Sequence, residues 1–285
     1  VSQLEFHLQH QGDAATALTI LSKATQLSSS ELKSAISKGA LWLEKGKSVQ
    51  RLRRVKKLIS HGETLHFYYN HTVLAQEPPN ATLVDDQESY SVWYKPSGML
   101  SQGSKWSDHC TITRWAQLHL SGDRQCYLVH RLDRATSGLI VIAHSKKAAQ
   151  ALTQLFEKRQ LTKQYQAIVA LPYLTNADKF TVEEPIDGKR AISHFSQLAI
   201  DQERKIGHYL IDIETGRKHQ IRKHAAYVGC PIVGDRLHGN QEVNERFGVD
   251  LQLCAIRLKF NCPLLGEFRD YHLPKDMQLS LNNLN

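Results

Sequence analysis

Apolar and polar residues follow two rhythms along this chain, and each change of rhythm marks an element. Over Thr64–Asn70, Leu65, Phe67 and Tyr69 alternate with polar neighbours, which predicts a strand with one buried face. The run YSVWYK, Tyr90–Lys95, predicts a strand that Pro96, Ser97 and Gly98 stop with a turn. Residues 126–129 and 139–143 are apolar runs of the kind that strands covered on both faces carry. Residues 146–159 change to the helical period, with Ala149, Leu152, Leu155 and Phe156 on one side and lysines on the other. The segment KQYQAIVAL, 163–171, predicts a strand, as do Lys179–Val182, 190–199, Ile206–Ile213 and 251–260. Residues 110–120 predict a helix, and 217–228 another, entered from Thr215–Gly216 and stopped by Gly229 and Pro231.

The first seventy residues have a pattern of their own. A helix is predicted over 13–23 with Asp13 as its cap and Ala17, Leu18 and Leu21 on one face. Ser28 and Glu31 form a capping-box pair that starts a second helix through Lys38, with Gly39 behind it. A short strand over 40–44 leads to a turn at Gly46, then to the basic cluster Arg51, Arg53, Arg54, Lys56 and Lys57. Two consecutive prolines in QEPPNAT, 76–82, predict a linker. The expected organisation is a small domain over 1–75, a linker over 76–82 and a large domain over 83–285. Many strands with interspersed helices and no βα alternation make the fold class α+β.

Composition narrows the class. A net charge of +8 and a pI near 9.2 suit a polyanionic partner, because Lys and Arg displace condensed counterions from a phosphate backbone. No run reaches the roughly 20 apolar residues that a membrane span needs. The opening VSQLEFHLQHQGD lacks a basic head followed by an apolar core, so no signal peptide is expected. Five cysteines without CxxC spacing point to a reducing compartment, the cytoplasm. His219 and His224 are five apart, which is not a zinc-helix spacing, so no metal is expected.

The candidate chemistry lies at HRLDRATSG, between the apolar runs at 126–129 and 139–143. Charged residues between two buried runs must stand where the chain surfaces, at a strand end. Asp133 is enclosed by Arg131 and Arg134, which favours its charged form. Taken singly, such charges are what any salt-bridged loop contains. Ser137 and Gly138 favour a tight turn or close approach to a ligand.

HRLDRATSGL, together with KPSGMLSQG from Lys95 and ETGRKHQIRKHAAYVGCPIVGD over 214–235, resembles the motifs of the RluA/RsuA-type RNA pseudouridine synthases, with the RluA type closer. The resemblance covers residues 90–272 well. It implies the pseudouridine synthase fold, a largely antiparallel mixed sheet with an RNA cleft across its middle. It implies Asp133 as catalyst, Tyr165 as the tyrosine that stacks on the base or handles a proton, and Arg222 as the partner of Asp133. Arg131, His130, Lys163, Arg217, His219 and Lys95 become the expected substrate contacts, Arg131 helping to fill the space that a flipped base vacates. Uridine isomerisation involves no redox change or phosphate transfer, so no cofactor is expected. The resemblance implies an isomerase whose expected partner is structured RNA, ribosomal ahead of transfer RNA, met by a monomer. Cys254 stands where the family often has a His.

The N-terminal segment resembles, more loosely, the small RNA-binding domain first recognised in a ribosomal small-subunit protein. Glu63 replaces its usual Asp, and its glycine turn lacks the usual Asn. The resemblance gives Arg51, Arg53, Arg54, Lys56 and Lys57 to RNA. Two other classes compete: an inactive RNA-binding protein on the same fold, and a histidine-based RNA hydrolase, given the 15 histidines. Product analysis separates them, as pseudouridine, nothing or cleaved RNA.

Overall fold

The computed structural model describes residues 2–171 and 178–284. The chain divides into two compact units, Val1–Pro78 with Gln102–Trp115, and Pro79–Ser101 with Ala116–Asn285.

The first unit contains β1 (Gln3–Gln9), β2 (Ala15–Thr16), α1 (Ala17–Ala24), α2 (Ser29–Ser37), β3 (Leu41–Lys45), β4 (Ser48–Arg51), β5 (Leu58–Ile59), β6 (Thr64–Asn70) and the single turn α3 (His71–Leu74). An antiparallel sheet in the order β1-β6-β3-β4 places Leu41, Leu65 and Phe67 against Leu21, Leu32 and Ile36 of the helices. The Ser28–Glu31 capping box is present and starts α2, and Gly39 at φ +89 ends it in the left-handed region that glycine adopts freely. Helix α1 begins later than Asp13 predicts. Ala15 and Thr16 pair with Ile59 and Leu58, and Thr16 then caps the helix by accepting the Thr19 amide. Strand β1 escapes the sequence reading although Leu4, Phe6 and Leu8 alternate with polar residues.

The second unit contains β7 (Thr82–Asp86), β8 (Tyr90–Lys95), β9 (Tyr127–Leu128), β10 (Ser137–Ala143), α5 (Lys146–Glu157), β11 (Leu161–Ala170), β12 (Lys179–Val182), β13 (Ser193–Asp201), β14 (Ile206–Ile213), α6 (Gln220–Tyr227), α7 (Gln241–Phe247), β15 (Leu253–Asn261) and β16 (Phe268–His272); α4 (Ile112–His119) straddles the division. Its ten-stranded sheet runs β12-β13-β14-β11-β15-β10-β8-β7, with β9 added to β10 and β16 to β15. Strands β7 and β16 and helix α7 go unread in the sequence, which ends the fold at 251–260 instead. All seven residues of β10 are buried, as a continuous apolar run predicts for a central strand. Only the β10–β15 pair is parallel among the described strands, joined at Ser137–Cys254 and Gly138–Ala255. Gly138 makes this crossing possible: at φ +117, a Cβ there would lie 2.3 Å from the Ala255 carbonyl oxygen. Its close approach is therefore to another strand, where the sequence suggested a turn or a ligand. That strand crossing delivers the loop before β10 to the centre of the sheet.

Candidate active site

Asp133 sits on the loop between β9 and β10, and the KPSG segment holds that loop on both sides of it. Ser101 Oγ donates to the Leu132 carbonyl at 2.6 Å and accepts the Leu132 amide at 3.1 Å. The Gly98 amide donates to the Arg134 carbonyl at 2.9 Å, and Arg134 Nε returns a bond to the Gly98 carbonyl at 3.1 Å. Lys95, fully buried, donates to the carbonyls of Pro96 at 3.0 Å, Met99 at 2.9 Å and Arg134 at 3.3 Å. Burial pushes its ammonium down to about 7, while the Asp133 charge acts the other way. Lys95 therefore fastens two loops together.

The ion-pair partner of Asp133 comes from far along the chain. Arg222 Nη1 donates to Asp133 Oδ2 at 3.3 Å. Neither flanking arginine takes that place: Arg134 turns to Gly98, and Arg131 is exposed. Behind Arg222 stands a second carboxylate, which accepts Nε at 2.7 Å on Asp235 Oδ2 and Nη2 at 2.6 Å on Oδ1. Burial works against the Arg222 charge, but Asp235 and Asp133 outweigh it and hold its pKa above the ordinary arginine value. Burial alone would likewise raise the Asp235 pKa. Arg222 and the amides of Leu237 and His238, at 2.9 and 3.0 Å from Oδ1, hold it below the ordinary carboxylate range. The two acids differ in access. The side chain of Asp235 is 1% exposed and that of Asp133 is 27% exposed, so of the two acids only Asp133 reaches the surface.

Helix α6 is aimed by residues of the same motif. Gln220 donates to the Ile192 carbonyl and to Ser193 Oγ, and accepts from Thr215 Oγ1 and the Arg217 amide. His224 is buried between Ser193 Oγ at 3.0 Å and the Glu184 carbonyl at 2.9 Å. These contacts fix the start of α6 against β13 and so direct Arg222 inward. The helix begins at Gln220, three residues after the predicted start, because His219 adopts a left-handed φ of +56. That turn brings His219 Nε2 to 3.8 Å from Asp133 Oδ1 and its Nδ1 to 2.9 Å from His238 Nε2.

Tyr165 is buried on β11, where burial and then the Asp133 charge raise its pKa and keep the phenol protonated. The β11–β15 ladder slips by one residue between Gln164 and Tyr165, a bulge beside the site. The remaining expected contacts lie elsewhere. Lys163 stands 5.8 Å from the Phe156 ring, and burial, then Arg159, lower its pKa. Arg217 donates to the Arg190 carbonyl. His130 is committed inward, stacked 4.1 Å from Phe156 and accepting the Val141 amide on Nε2 at 3.0 Å. Burial pushes it down to about 3, so it stays neutral. Cys254 lies buried next to the crossing at Ser137, with its thiol pushed up to about 11 by burial.

Residues 89–227 match the RNA pseudouridylate synthase family. The chain is 33% identical over 201 residues to tRNA pseudouridine synthase C of Yersinia pestis, covering 61% of this chain and 78% of that protein. The chain belongs to the RNA pseudouridine synthase family. The synthase is also 33% identical over 172 residues to ribosomal large subunit pseudouridine synthase D of Vibrio parahaemolyticus, covering 52% of this chain and 51% of that protein. Its fold matches human RNA pseudouridylate synthase domain containing 1 with a TM-score of 0.59 at 22% identity, over 70% of this chain and 86% of that one. The synthase is thus an isomerase with the α+β pseudouridine synthase fold and a small N-terminal unit. Among the described residues, no helix is long and apolar enough to cross a membrane.

Sequence reasoning overlooked two residues of this cluster, Asp235 and His238. Asp235 was visible as the last residue of PIVGD, an acid after a glycine turn, but no spacing rule ties it to Arg222, thirteen positions earlier.

Proposed function

We propose that the synthase isomerises specific uridines in structured ribosomal RNA, in preference to transfer RNA, with Asp133 as the covalent or base catalyst. The supporting observation is the arrangement around Asp133: a half-buried carboxylate held by one bond from Arg222, itself fixed by Asp235. In the reaction the N1–C1′ bond of uridine breaks, the uracil turns, and a C5–C1′ bond forms. The proton on C5 is lost and N1 gains one, so product and substrate are isomers. A carboxylate that is ionised, oriented and partly exposed can attack as a nucleophile or take a proton. Tyr165, held protonated, offers a ring to stack on the base and a hydroxyl to donate. The target base must leave its stack, at a cost of roughly a few kcal/mol. Arg131, exposed two residues from Asp133, fills the vacated space.

The first unit supplies a second foothold on a large folded RNA. Arg54, Lys56 and Lys57 are exposed there and carry the phosphate contacts. Arg51 and Arg53 support the unit from within. Arg51 Nε lies 3.3 Å from Asp108, Arg53 also pairs with Asp108, and Arg53 Nη1 donates to the Ser37 carbonyl at 3.0 Å. We place the synthase in the cytoplasm as a monomer; five cysteines without CxxC spacing suit a reducing compartment.

Incubation of the purified synthase with protein-free ribosomal RNA and, separately, with unmodified transfer RNA tests the reading. Pseudouridine is expected at discrete positions of ribosomal RNA. Product confined to transfer RNA overturns the substrate assignment, and cleaved RNA overturns the isomerase chemistry.

A further inference from the structure

The loop between α6 and α7 sends its side chains in two directions. Asp235 and His238 reach Arg222 and His219 and so join the group around Asp133. Arg236 and Leu237, between them, stand in solvent. The side chain of Arg236 is 80% exposed and makes a loose surface pair with Asp250 at 3.4 Å. Leu237 is 70% exposed, more than any other large apolar residue among those described. A single exposed leucine is ordinary on a protein surface, but this one stands on a loop built to hold it still. Asp235 Oδ1 accepts the amides of Leu237 at 2.9 Å and His238 at 3.0 Å. The Asp235 carbonyl accepts the Gly239 amide at 2.9 Å and Asn244 Nδ2 at 2.8 Å, and Asn244, on α7, accepts the Gly234 amide at 2.8 Å. Only glycine fits at 239, where a Cβ would lie 2.2 Å from the Asp235 carbonyl oxygen. The Leu237 amide is joined to Asp133 by three hydrogen bonds in series, by way of Asp235 and Arg222. A braced loop thus displays an apolar side chain and a cation beside the reactive carboxylate.

We infer that Leu237 is a wedge: it enters the base stack of the substrate RNA next to the target uridine and covers the neighbouring base while the uridine is in the site. The reaction creates the need. A uridine that leaves its stack exposes the apolar face of its neighbour to water, and the stack recloses unless another apolar group covers that face. Leucine does so, and its own exposed surface leaves water at the same time. Because the loop is already fixed by its hydrogen bonds, little further ordering is lost on binding. Arg236 beside it suits a polyanion, with its guanidinium against the phosphate backbone. Arg131, from the loop before β10, acts differently: it offers a planar cation to the emptied place, whereas Leu237 offers an apolar surface to the base alongside. The inference rests on the reading of Asp133 as the place where the uridine reacts.

The test uses an RNA hairpin cut from around a uridine that the parent modifies, with 2-aminopurine as the base before or after that uridine. This base fluoresces weakly inside a stack and strongly outside one. Binding of the parent should raise the fluorescence at one of the two positions. Leu237→Ala should keep the parent's melting temperature, because the side chain is exposed, but lose most of that rise. At saturating protein its single-turnover rate should fall about 10- to 100-fold, the value of burying one leucine side chain. Leu237→Met, which keeps an apolar side chain of similar volume, should stay within about threefold of the parent. On a hairpin with an abasic site at the responsive position, Leu237→Ala and the parent should agree within about twofold, since no base remains there to be covered. A merely structural role would not give that rescue. A parental fluorescence rise in Leu237→Ala overturns the inference, as does a rate loss that persists on the abasic hairpin. Weaker binding alone, with a parental rate at saturation, makes Leu237 a surface contact and also overturns it. Asp133→Asn separates the two readings: it should show the full rise and form no product. Product from Asp133→Asn sinks the reading of the site, whereas a parental Leu237→Ala beside an inactive Asp133→Asn sinks the wedge alone.

Discussion

Each unit of the synthase contains a knot of arginine and aspartate, and the two are built in opposite proportions. In the first unit two arginines, Arg51 and Arg53, converge on one acid, Asp108, and spend their remaining donors on the carbonyls of Gly39, Ser104 and Ser37. In the second unit one arginine, Arg222, is divided between two acids, Asp235 and Asp133. An excess of cation around one acid brings both arginines to a single carboxylate oxygen and ties them to backbone, which stabilises a fold. An excess of acid around one cation leaves an anion with one loose contact and an exposed face, which is what a reaction needs. On the proposed reading of Asp133, the same residue types make a staple in one place and a reactive group in the other, and stoichiometry together with access decides which.

The sharpest way to break that contrast is to remove the shared cation. Arg222→Ala leaves Asp235 a buried acid with no cation beside it, held only by the Leu237 and His238 amides, and should cost about 3–5 kcal/mol of stability along with nearly all turnover. Arg222→Lys should recover much of the stability but only part of the activity, because an ammonium cannot serve two carboxylates with a planar fork. Equal single-turnover rates for Arg222→Lys and the parent would show that the divided guanidinium is irrelevant to catalysis. The staple should answer differently. Asp108→Ala should lower stability on the order of 1–3 kcal/mol while the rate per folded molecule stays near parental. A specific loss of turnover there, with unfolding unchanged, would erase the distinction between the knots.

Both knots were only half legible in the sequence, for one physical reason. The loop acid Asp133 and its arginines Arg131 and Arg134 stand together in the chain, and so do the basic residues 51–57, so neighbours in sequence were read as neighbours in function. The partners that contact these residues are 55 and 89 positions away. Local rules saw what is local: the Ser28–Glu31 cap, the alternation over Thr64–Asn70, the buried run before Ala143, and the turn at Pro96. They missed β1, β7 and β16, which owe their strand form to the strands they pair with. The motif around Arg222 pointed to the right guanidinium, but which acid holds it firmly is a matter of folding, and Asp235 went unseen.

RNA binding offers a smaller and more specific effect. The second segment of the first unit, Gln102–Trp115, enters the chain after residue 100, so cutting at the Pro-Pro stretch would strand it. Replacing Arg54, Lys56 and Lys57 together by Ala avoids that difficulty. RNA affinity should weaken, and the slope of log K against log salt should fall by up to about 3, one for each phosphate that these side chains neutralise. An unchanged slope would remove these residues from the interface, leaving the first unit without a demonstrated role in RNA binding.

The smallest effect lies in acid. Because the Asp235 carboxyl is held below the ordinary aspartate value of 3.8, its contribution to stability is full above that value and is lost as pH falls through the lowered folded value. Thermal stability of the parent should therefore decline more steeply below about pH 4 than that of Asp235→Asn. Parallel curves would mean that the pairing with Arg222 contributes nothing to the acid response.

The central claim is that Asp133, the acid left with an exposed face, performs the isomerisation. Asp133→Asn keeps the size of the side chain and most of its hydrogen-bonding reach, but it is neither a nucleophile nor a base at neutral pH. One preparation of this variant, measured for pseudouridine formed in a single turnover, for RNA affinity and for melting temperature, tests the claim most directly. The account predicts a folded protein that binds RNA as well as the parent, or slightly better for want of a negative charge in the cleft, and forms no pseudouridine. A folded Asp133→Asn synthase that forms pseudouridine at a rate near that of the parent would contradict it.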